Sequence, residues 1–172
     1  YELLGGPTRD KVRLYWTHFG TYRISHGDHL GTPPIRSLED IAELARGVVE
    51  KGFTALKTNI FLFDGQPRMH MPGFTASPGW PELNADRETL RIIDRQLAAF
   101  RDGAGPDMDI LLDTNFNFKT EGYRRIADVV DEHDLFWLEI DLFDPAALSY
   151  VRDGASTPIA SCESLFGRRE FM

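Results

Sequence analysis

The sequence predicts an α/β protein whose parallel strands form part of a (β/α)8 TIM barrel. Short apolar or β-branched runs alternate with helical patterns five times along the 172 residues, and strict alternation of this kind predicts a parallel sheet covered by helices. An open doubly wound sheet is the alternative, but the Gly-x-Gly-x-x-Gly turn typical of that architecture is missing. Acidic residues follow three successive strands, which is where barrel enzymes carry their functional groups. The barrel is therefore the favoured architecture, with about its first five βα units present.

The first unit starts with a strand predicted over residues 11–17, followed by a loop over 18–36 that is rich in Gly, His and Pro. His18 falls at the carboxyl end of that strand and is predicted to line a substrate pocket. With His26 and His29 it could also form a zinc site. No regular element fixes the three histidines relative to one another, so the pocket is the favoured interpretation.

The second unit begins with a helix opened by Ser37. Asp40 stands three residues later, the spacing of a capping box, in front of an apolar helical face. The second strand is predicted over 53–57. An irregular stretch with four prolines then covers 60–84, and long loops of that kind often serve as lids or binding loops. His70, within that stretch, is predicted to be a surface residue.

The later units repeat the same order with clearer boundaries. They are a helix over 86–101, a strand over 109–113, a helix opened by Thr120, a strand over 135–139, a helix capped by Asp144 and a strand over 158–162. Asp144 followed by Pro145 is typical of a helix start, since proline is favoured at the first helical position.

Composition excludes several classes of function. The formal net charge is −8 and the isoelectric point is near 5.1, so no excess of Lys and Arg is available for nucleic-acid phosphates. Cys162 is the single cysteine, which rules out a disulfide framework. No apolar run reaches the ~18–20 residues of a membrane span, and the first residues do not form a signal peptide. We expect a cytoplasmic protein that binds neither nucleic acid nor membrane.

Three acidic residues directly follow apolar strands at nearly constant spacing. Asp113, Glu139 and Glu163 lie 26 and 24 residues apart, about one strand–helix repeat. Equivalent positions on adjacent barrel strands lie side by side, so we expect the three carboxylates to converge and, without a cation, to repel one another. Ligands that are all oxygen favour Mg²⁺ over zinc or copper. The competing interpretation is that these acids are helix caps or solvated rim residues.

Three further polar residues lie at the same strand ends. Lys57 ends the second strand, where an ammonium could stabilise negative charge on a substrate oxygen or a desolvated amine could act as a base. Asn59 and Asn115 each stand two residues beyond a candidate active group and so share its face of an extended chain. Either amide could bind a substrate or satisfy a turn.

These residues resemble the enolase superfamily, and most closely its mandelate racemase and muconate lactonizing enzyme group, in the acid-sugar dehydratase branch. The segments that carry the resemblance are Leu3-Leu4-Gly5-Gly6, Ala55-Leu56-Lys57, Asp113-Thr114-Asn115, Trp137-Leu138-Glu139 and Cys162-Glu163-Ser164. The resemblance implies that Asp113, Glu139 and Glu163 bind Mg²⁺. It also implies that the metal holds a substrate carboxylate while a base removes the adjacent proton, giving an enediolate.

The sequence departs from the family pattern in two motifs. Many members carry Lys-x-Lys on the second strand, with the second lysine as a base, whereas this chain has Asn59 there. A lysine-and-histidine racemisation is therefore disfavoured, and dehydration would use another base or Lys57. Asp141 follows Glu139 where relatives have a Glu-Glu-Pro or Glu-Gln-Pro run, and it receives no role from the resemblance.

The leading hypothesis is a Mg²⁺-dependent dehydratase that acts on a sugar acid. The alternatives are a racemase or epimerase of a 2-hydroxy acid and a non-catalytic fragment that at most binds metal. Because a TIM barrel needs about 250 residues, we expect residues 1–172 to be a partial barrel domain, without the capping domain and the last strands of the family. We expect the full-length protein to form homo-oligomers.

Overall fold

The computed structural model describes residues 2–17, 20–75 and 81–172. Its helices are α1 (Thr21–Leu30), α2 (Leu38–Glu50), α3 (Pro72–Thr75), α4 (Arg87–Ala104), α5 (Thr120–Val130) and α6 (Pro145–Asp153). Its strands are β1 (Ala55–Thr58), β2 (Phe61–Leu62), β3 (Arg68–Met69), β4 (Asp109–Asp113), β5 (Trp137–Glu139) and β6 (Ile159–Ala160). Short 3₁₀ turns occupy Glu2–Leu4, Pro81–Asn84 and Asp131–His133.

The main sheet is parallel and has the strand order β1-β4-β5-β6. Each of these strands pairs with the next one along the chain, without the reversal of order that defines a doubly wound sheet. Helices α2, α4, α5 and α6 contact one another in succession, so they form one layer along the sheet. Successive pairing with one helical layer is the arrangement of a (β/α) barrel wall.

The predicted first strand is reduced to a single bridge. Of residues 11–17, only Trp16 pairs with β1, opposite Leu56. The Trp16 N–H donates to the Ala55 carbonyl, and the Lys57 N–H donates to the Trp16 carbonyl. Val12 and Leu14 are largely exposed, so the apolar alternation that predicted a strand buries little surface here. The prediction of a regular strand over 11–17 was therefore wrong in extent.

Two regular elements lie where irregular loops were predicted. Helix α1 occupies much of the predicted 18–36 loop, and a β2–β3 hairpin occupies part of the 60–84 stretch. Helix α1 buries only Thr21 and Gly27 and starts after Gly20, whose φ is 84°. A helix without an apolar stripe leaves no 3.6-residue period in the sequence, which explains why it was missed.

The core lies between the sheet and the helical layer. The Ser37 capping box of α2 is present, with the Ser37 side chain accepting from Asp40 N–H. Asp86 and Asp144 cap α4 and α6 in the same way. Together these caps confirm the predicted helix starts.

Helices α2 and α4 approach closely at one point. A Cβ on Gly103 would lie 2.1 Å from the Ala42 carbonyl oxygen, so only glycine permits this distance. Within the described ranges, none of the helices has the length and apolar character needed to cross a bilayer.

Candidate active site

Three charged side chains share one face at the carboxyl ends of neighbouring strands. Asp113 is in register with Glu139 across the β4–β5 pair. Lys57 is in register with Leu111 on the β1–β4 pair, two residues before Asp113 and therefore on the same face. The parallel register thus brings Lys57, Asp113 and Glu139 together, as the spacing of the strand ends predicted.

The Lys57 ammonium joins the two carboxylates. Its Nζ lies 3.1 Å from Asp113 Oδ2 and 2.9 Å from Glu139 Oε2. The three side chains are only 13%, 6% and 14% exposed. The cluster is therefore a partly desolvated ion triad, in which electrostatic attraction is much stronger than on an open surface.

The environment of Lys57 favours its charged form. Burial acts to lower the pKa of Lys57, but the hydrogen bond to Glu139 and the charge of Asp113 outweigh it, so the pKa is raised. In this arrangement Lys57 is an ammonium that donates hydrogen bonds.

Asn115 and Asn59 hold Asp113 in place. The Asn115 backbone N–H and side-chain Nδ2 both donate to Asp113 Oδ1 at 2.9 Å. Asn59 Nδ2 donates to the Asp113 carbonyl and to Asn115 Oδ1. Substrate binding by the two asparagines remains a prediction, and what the structure shows is that their amides orient Asp113.

Two threonines extend this support and were not anticipated. Thr21 Oγ1 donates to Asn59 Oδ1 at 2.8 Å, so the start of α1 anchors the asparagine pair. Thr114 Oγ1 donates to the Glu139 carbonyl at 2.7 Å, which ties β4 to β5 just beyond the strands. Thr21 lies in the unpredicted helix, so no sequence signal pointed to it, whereas Thr114 stands beside Asp113 and could have been noticed.

Glu163 lies apart from the triad. The register partner of Glu139 on β6 is Ala160, three residues before Glu163. Cys162 has a φ of 80°, which interrupts the extended alternation, and Glu163 is exposed. Across the described ranges, no three His, Cys, Asp or Glu side chains are arranged to hold a metal ion. A role for Glu163 as a ligand remains a prediction.

Asp141 is a fourth acid close to the triad. It is 7% exposed, and its buried Oδ2 has no hydrogen-bond partner among the residues that the structure describes. Burial, followed by the charges of Glu163, Glu139 and Asp113, raises the pKa of Asp141 to about 6. Asp141 therefore lies within the electrostatic influence of Asp113 and Glu139, although the family resemblance assigned it no role.

The predictions for His18 and His70 have different outcomes. His18 lies outside the described residues, so its role as a pocket residue stays a prediction. The prediction of a surface position for His70 was wrong, since it is 8% exposed and its ring stacks on Phe118. The β2–β3 hairpin turns this part of the chain inward, a fold that the four prolines did not indicate.

The donor atoms at this site are of the type that a hard cation takes, although the described residues do not place three of them around one point. Two carboxylate oxygens, Asp113 Oδ2 and Glu139 Oε2, already face one positive centre, the Lys57 ammonium. Asp141 adds a buried carboxylate oxygen without a partner. Oxygen donors of this kind are the ligands that Mg²⁺ prefers in proteins.

Comparisons with known proteins identify relatives of this chain. The family model described as enolase C-terminal domain-like matches residues 40–172. A D-gluconate dehydratase of Thermoproteus tenax is 30% identical over 173 residues, covering 99% of this chain and 29% of that protein. A D-galactonate dehydratase family member of Oceanicola granulosus is 27% identical, covering 93% of this chain and 39% of that protein.

Solved structures give a stronger match. A candidate L-alanine-DL-glutamate epimerase from Burkholderia xenovorans is 48% identical with a TM-score of 0.91, covering 99% of this chain and 43% of that one. A second structure from the same strain, with the same description, identity and TM-score, is bound to magnesium and fumarate. The chain thus spans less than half the length of each of these proteins.

Proposed function

The chain belongs to the enolase C-terminal domain-like family, and on this basis we propose that its strand ends form the metal-binding part of a Mg²⁺-dependent dehydratase that acts on a sugar acid. The single observation that carries the proposal is the convergence of Asp113 and Glu139 on one cationic centre. Dehydratases of gluconate and galactonate among the relatives support the reaction class. The magnesium in a 48% identical structure supports the choice of ion.

The proposed ligands are Asp113, Glu139 and Glu163. The first two have their oxygens directed at a shared centre, and Glu163 would join them by a rearrangement of the exposed segment after β6. Bound there, Mg²⁺ supplies a Lewis acid for a substrate carboxylate and for the charge that develops as the adjacent proton leaves. Asn115 fixes the orientation of Asp113, which keeps one oxygen directed at the centre.

Lys57 has a separate role in the proposal. It donates hydrogen bonds to carboxylate oxygens now, and it would donate to a substrate oxygen once the cation occupies the carboxylates. A positive charge fixed at that point stabilises negative charge without reorganisation. We further propose that the protein acts in the cytoplasm, since an acidic chain with one unpaired cysteine suits a reducing compartment.

An epimerase is the second candidate. The 48% identical structure is described as a candidate L-alanine-DL-glutamate epimerase, and its identity to this chain exceeds that of the dehydratases named above. Epimerisation uses the same proton removal beside a carboxylate and differs in returning the proton instead of losing water.

The test is turnover of an acid panel by the purified protein in the presence of Mg²⁺. D-Gluconate, D-galactonate and D-xylonate are assayed for 2-keto acid, and L-alanyl-L-glutamate for exchange of its α-proton in D₂O. Formation of keto acid that is lost in Glu139→Gln and kept in the exposed control Glu43→Gln supports the dehydratase. Exchange without keto acid supports the epimerase. The absence of both reactions would contradict the proposal.

A further inference from the structure

A cleft separate from the strand ends opens on the outer side of α1. It lies between α1, residues 34–36 and the tip of the β2–β3 hairpin at residues 65–67, and its volume is about 550 Å³. That volume lies within the range of about 300–1,000 Å³ that holds small-molecule ligands. None of its lining residues belongs to the Lys57 cluster.

The cleft concentrates positive charge in an acidic protein. Arg23, His26, His29 and Arg36 line it, against a single carboxylate, Asp28. The whole chain carries a formal charge of −8, so the arginines of this cleft have the opposite sign to the net charge of the protein. A local excess of cationic groups in a concave surface attracts anions.

The two arginines of the cleft lack the carboxylate partners that several other arginines of the chain have. Arg68, Arg91, Arg124 and Arg152 each pair with an acid on the surface. Arg23 and Arg36 have no carboxylate within 4.0 Å in the described part of the chain. The nearby carboxylate of Asp40 accepts instead from the backbone N–H groups of Arg36 and Ser37. The guanidinium donors of Arg23 and Arg36 are thus available to a ligand.

The backbone of α1 departs from helical geometry at this cleft. His26 has φ −140° and ψ 26° inside the helix, and its ring lies 6.2 Å from the His29 ring at an interplanar angle of 88°. Despite this kink, both histidines line the cleft. Their ring nitrogens add donors to those of the arginines.

We infer that this cleft, between α1 and the β2–β3 hairpin, binds a small oxyanion, a phosphate or a carboxylate. The planar guanidinium fork matches the paired oxygens of either group. Two such forks and two imidazoles line the same cleft, a set of donors that suits an anion of more than one charge. The site is independent of the proposed dehydratase chemistry, because it shares no side chain with the Lys57 cluster.

The test is titration of the purified protein with inorganic phosphate and, separately, with succinate. Binding is followed by calorimetry and by the NMR signals of the histidine rings. We expect saturable binding that shifts the His26 and His29 signals. The double variant with Arg23→Gln and Arg36→Gln should bind the anion at least about tenfold more weakly. Each of the two substitutions removes a pair of charge-assisted hydrogen bonds to the anion. The tighter of the two probes identifies whether the ligand is a phosphate or a dicarboxylate.

Arg91→Gln is the matched control, because Arg91 is an exposed arginine paired with Glu88 on α4. It should bind both probes as the unmodified protein does. Three results would overturn the inference: titration without saturation, equal weakening in Arg91→Gln, and unchanged affinity in a double variant whose circular dichroism shows that it is folded.

Discussion

Lys57 and Glu139 are 82 positions apart in the chain and meet at 2.9 Å through Nζ and Oε2. The contact exists because β4 lies between β1 and β5 in a parallel sheet, which brings three strand ends to one edge. It is the feature from which the proposed chemistry of this protein follows. With Asp113 it makes a site in which a positive centre is held by two fixed carboxylates.

Lys57→Met tests what the ammonium contributes to the fold. The substitution keeps the length of the side chain and leaves Asp113 and Glu139 facing each other without a cation. We expect a loss of about 3–5 kcal/mol in the free energy of unfolding, the usual cost of removing one partner from a buried ion pair, measured by urea denaturation.

Magnesium should offset part of that loss. A ligand that binds only the folded state stabilises it by mass action, so Mg²⁺ should raise the melting temperature of Lys57→Met by more than that of the unmodified protein. An equal effect of Mg²⁺ on both proteins would show that the cation does not bind at this cluster.

Asn115 combines a hydrogen-bonding role with an unusual backbone conformation. Its φ is 50°, a left-handed conformation that glycine and asparagine tolerate better than other residues. Asn115→Gly keeps that conformation and loses the side-chain bond to Asp113, but not the bond from the backbone N–H. Asn115→Ala loses the same side-chain bond and also strains the left-handed backbone. We expect Asn115→Ala to be less stable than Asn115→Gly by about 1–2 kcal/mol.

The two variants should bind Mg²⁺ alike. Residues that orient a metal ligand typically contribute about 10–100-fold to affinity, so both should be weakened by that factor, as measured by calorimetry. Unchanged affinity in both variants would mean that Asn115 does not orient a ligand.

Much of the site could be predicted because it depends on strand ends, which apolar runs mark clearly. The strand over 109–113 has the predicted bounds, and Asp113 pairs with Glu139 as the nearly constant spacing of the acids predicted. Glu163 was less predictable, because spacing does not reveal the left-handed backbone at Cys162. Helix α1 was not predicted because it has no apolar stripe. The bond from Thr21, in that helix, to Asn59 was therefore not predicted either.

Asp86 caps α4, and its contribution to the stability of that helix depends on pH. Its side chain accepts from Thr89 N–H at 2.8 Å, and the bonds to Thr89 lower the pKa of Asp86 despite slight burial. Since the folded-state pKa is below the unfolded value, near 3.9, this stabilisation is complete above that value and is lost as the pH falls through the folded-state pKa.

Asp86→Ala and Asp86→Asn separate the cap from its charge. Asp86→Ala should cost about 1 kcal/mol at pH 7, and the difference from the unmodified protein should shrink in acid. Asp86→Asn keeps a capping side chain without a titrating group, so it should be nearly as stable at pH 7. Urea denaturation at pH 7 and pH 3 measures the free energy of unfolding of both variants. If Asp86→Ala were destabilised equally at the two pH values, the Asp86 carboxylate would not be the titrating cap.

Gly103 and Gly47 form a matched pair of helical glycines. A Cβ at Gly103 would meet the Ala42 carbonyl, whereas a Cβ at Gly47 has nothing within 4 Å. Gly103→Ala must separate α2 from α4 and should destabilise by about 1–3 kcal/mol or more. Gly47→Ala should stabilise by about 0.5–1 kcal/mol, because alanine favours the helix. Thermal unfolding of both variants measures the effects, and a stable Gly103→Ala would show that the two helices are not so close.

The central claim is that Asp113 and Glu139 bind a divalent cation. The most direct measurement is titration of the protein with Mn²⁺, a spectroscopic substitute for Mg²⁺, with free Mn²⁺ followed by electron paramagnetic resonance. We predict saturable binding that Mg²⁺ displaces, that Asp113→Asn and Glu139→Gln abolish, and that Glu43→Gln leaves intact. Equal Mn²⁺ binding in Glu139→Gln and in the unmodified protein would contradict the claim.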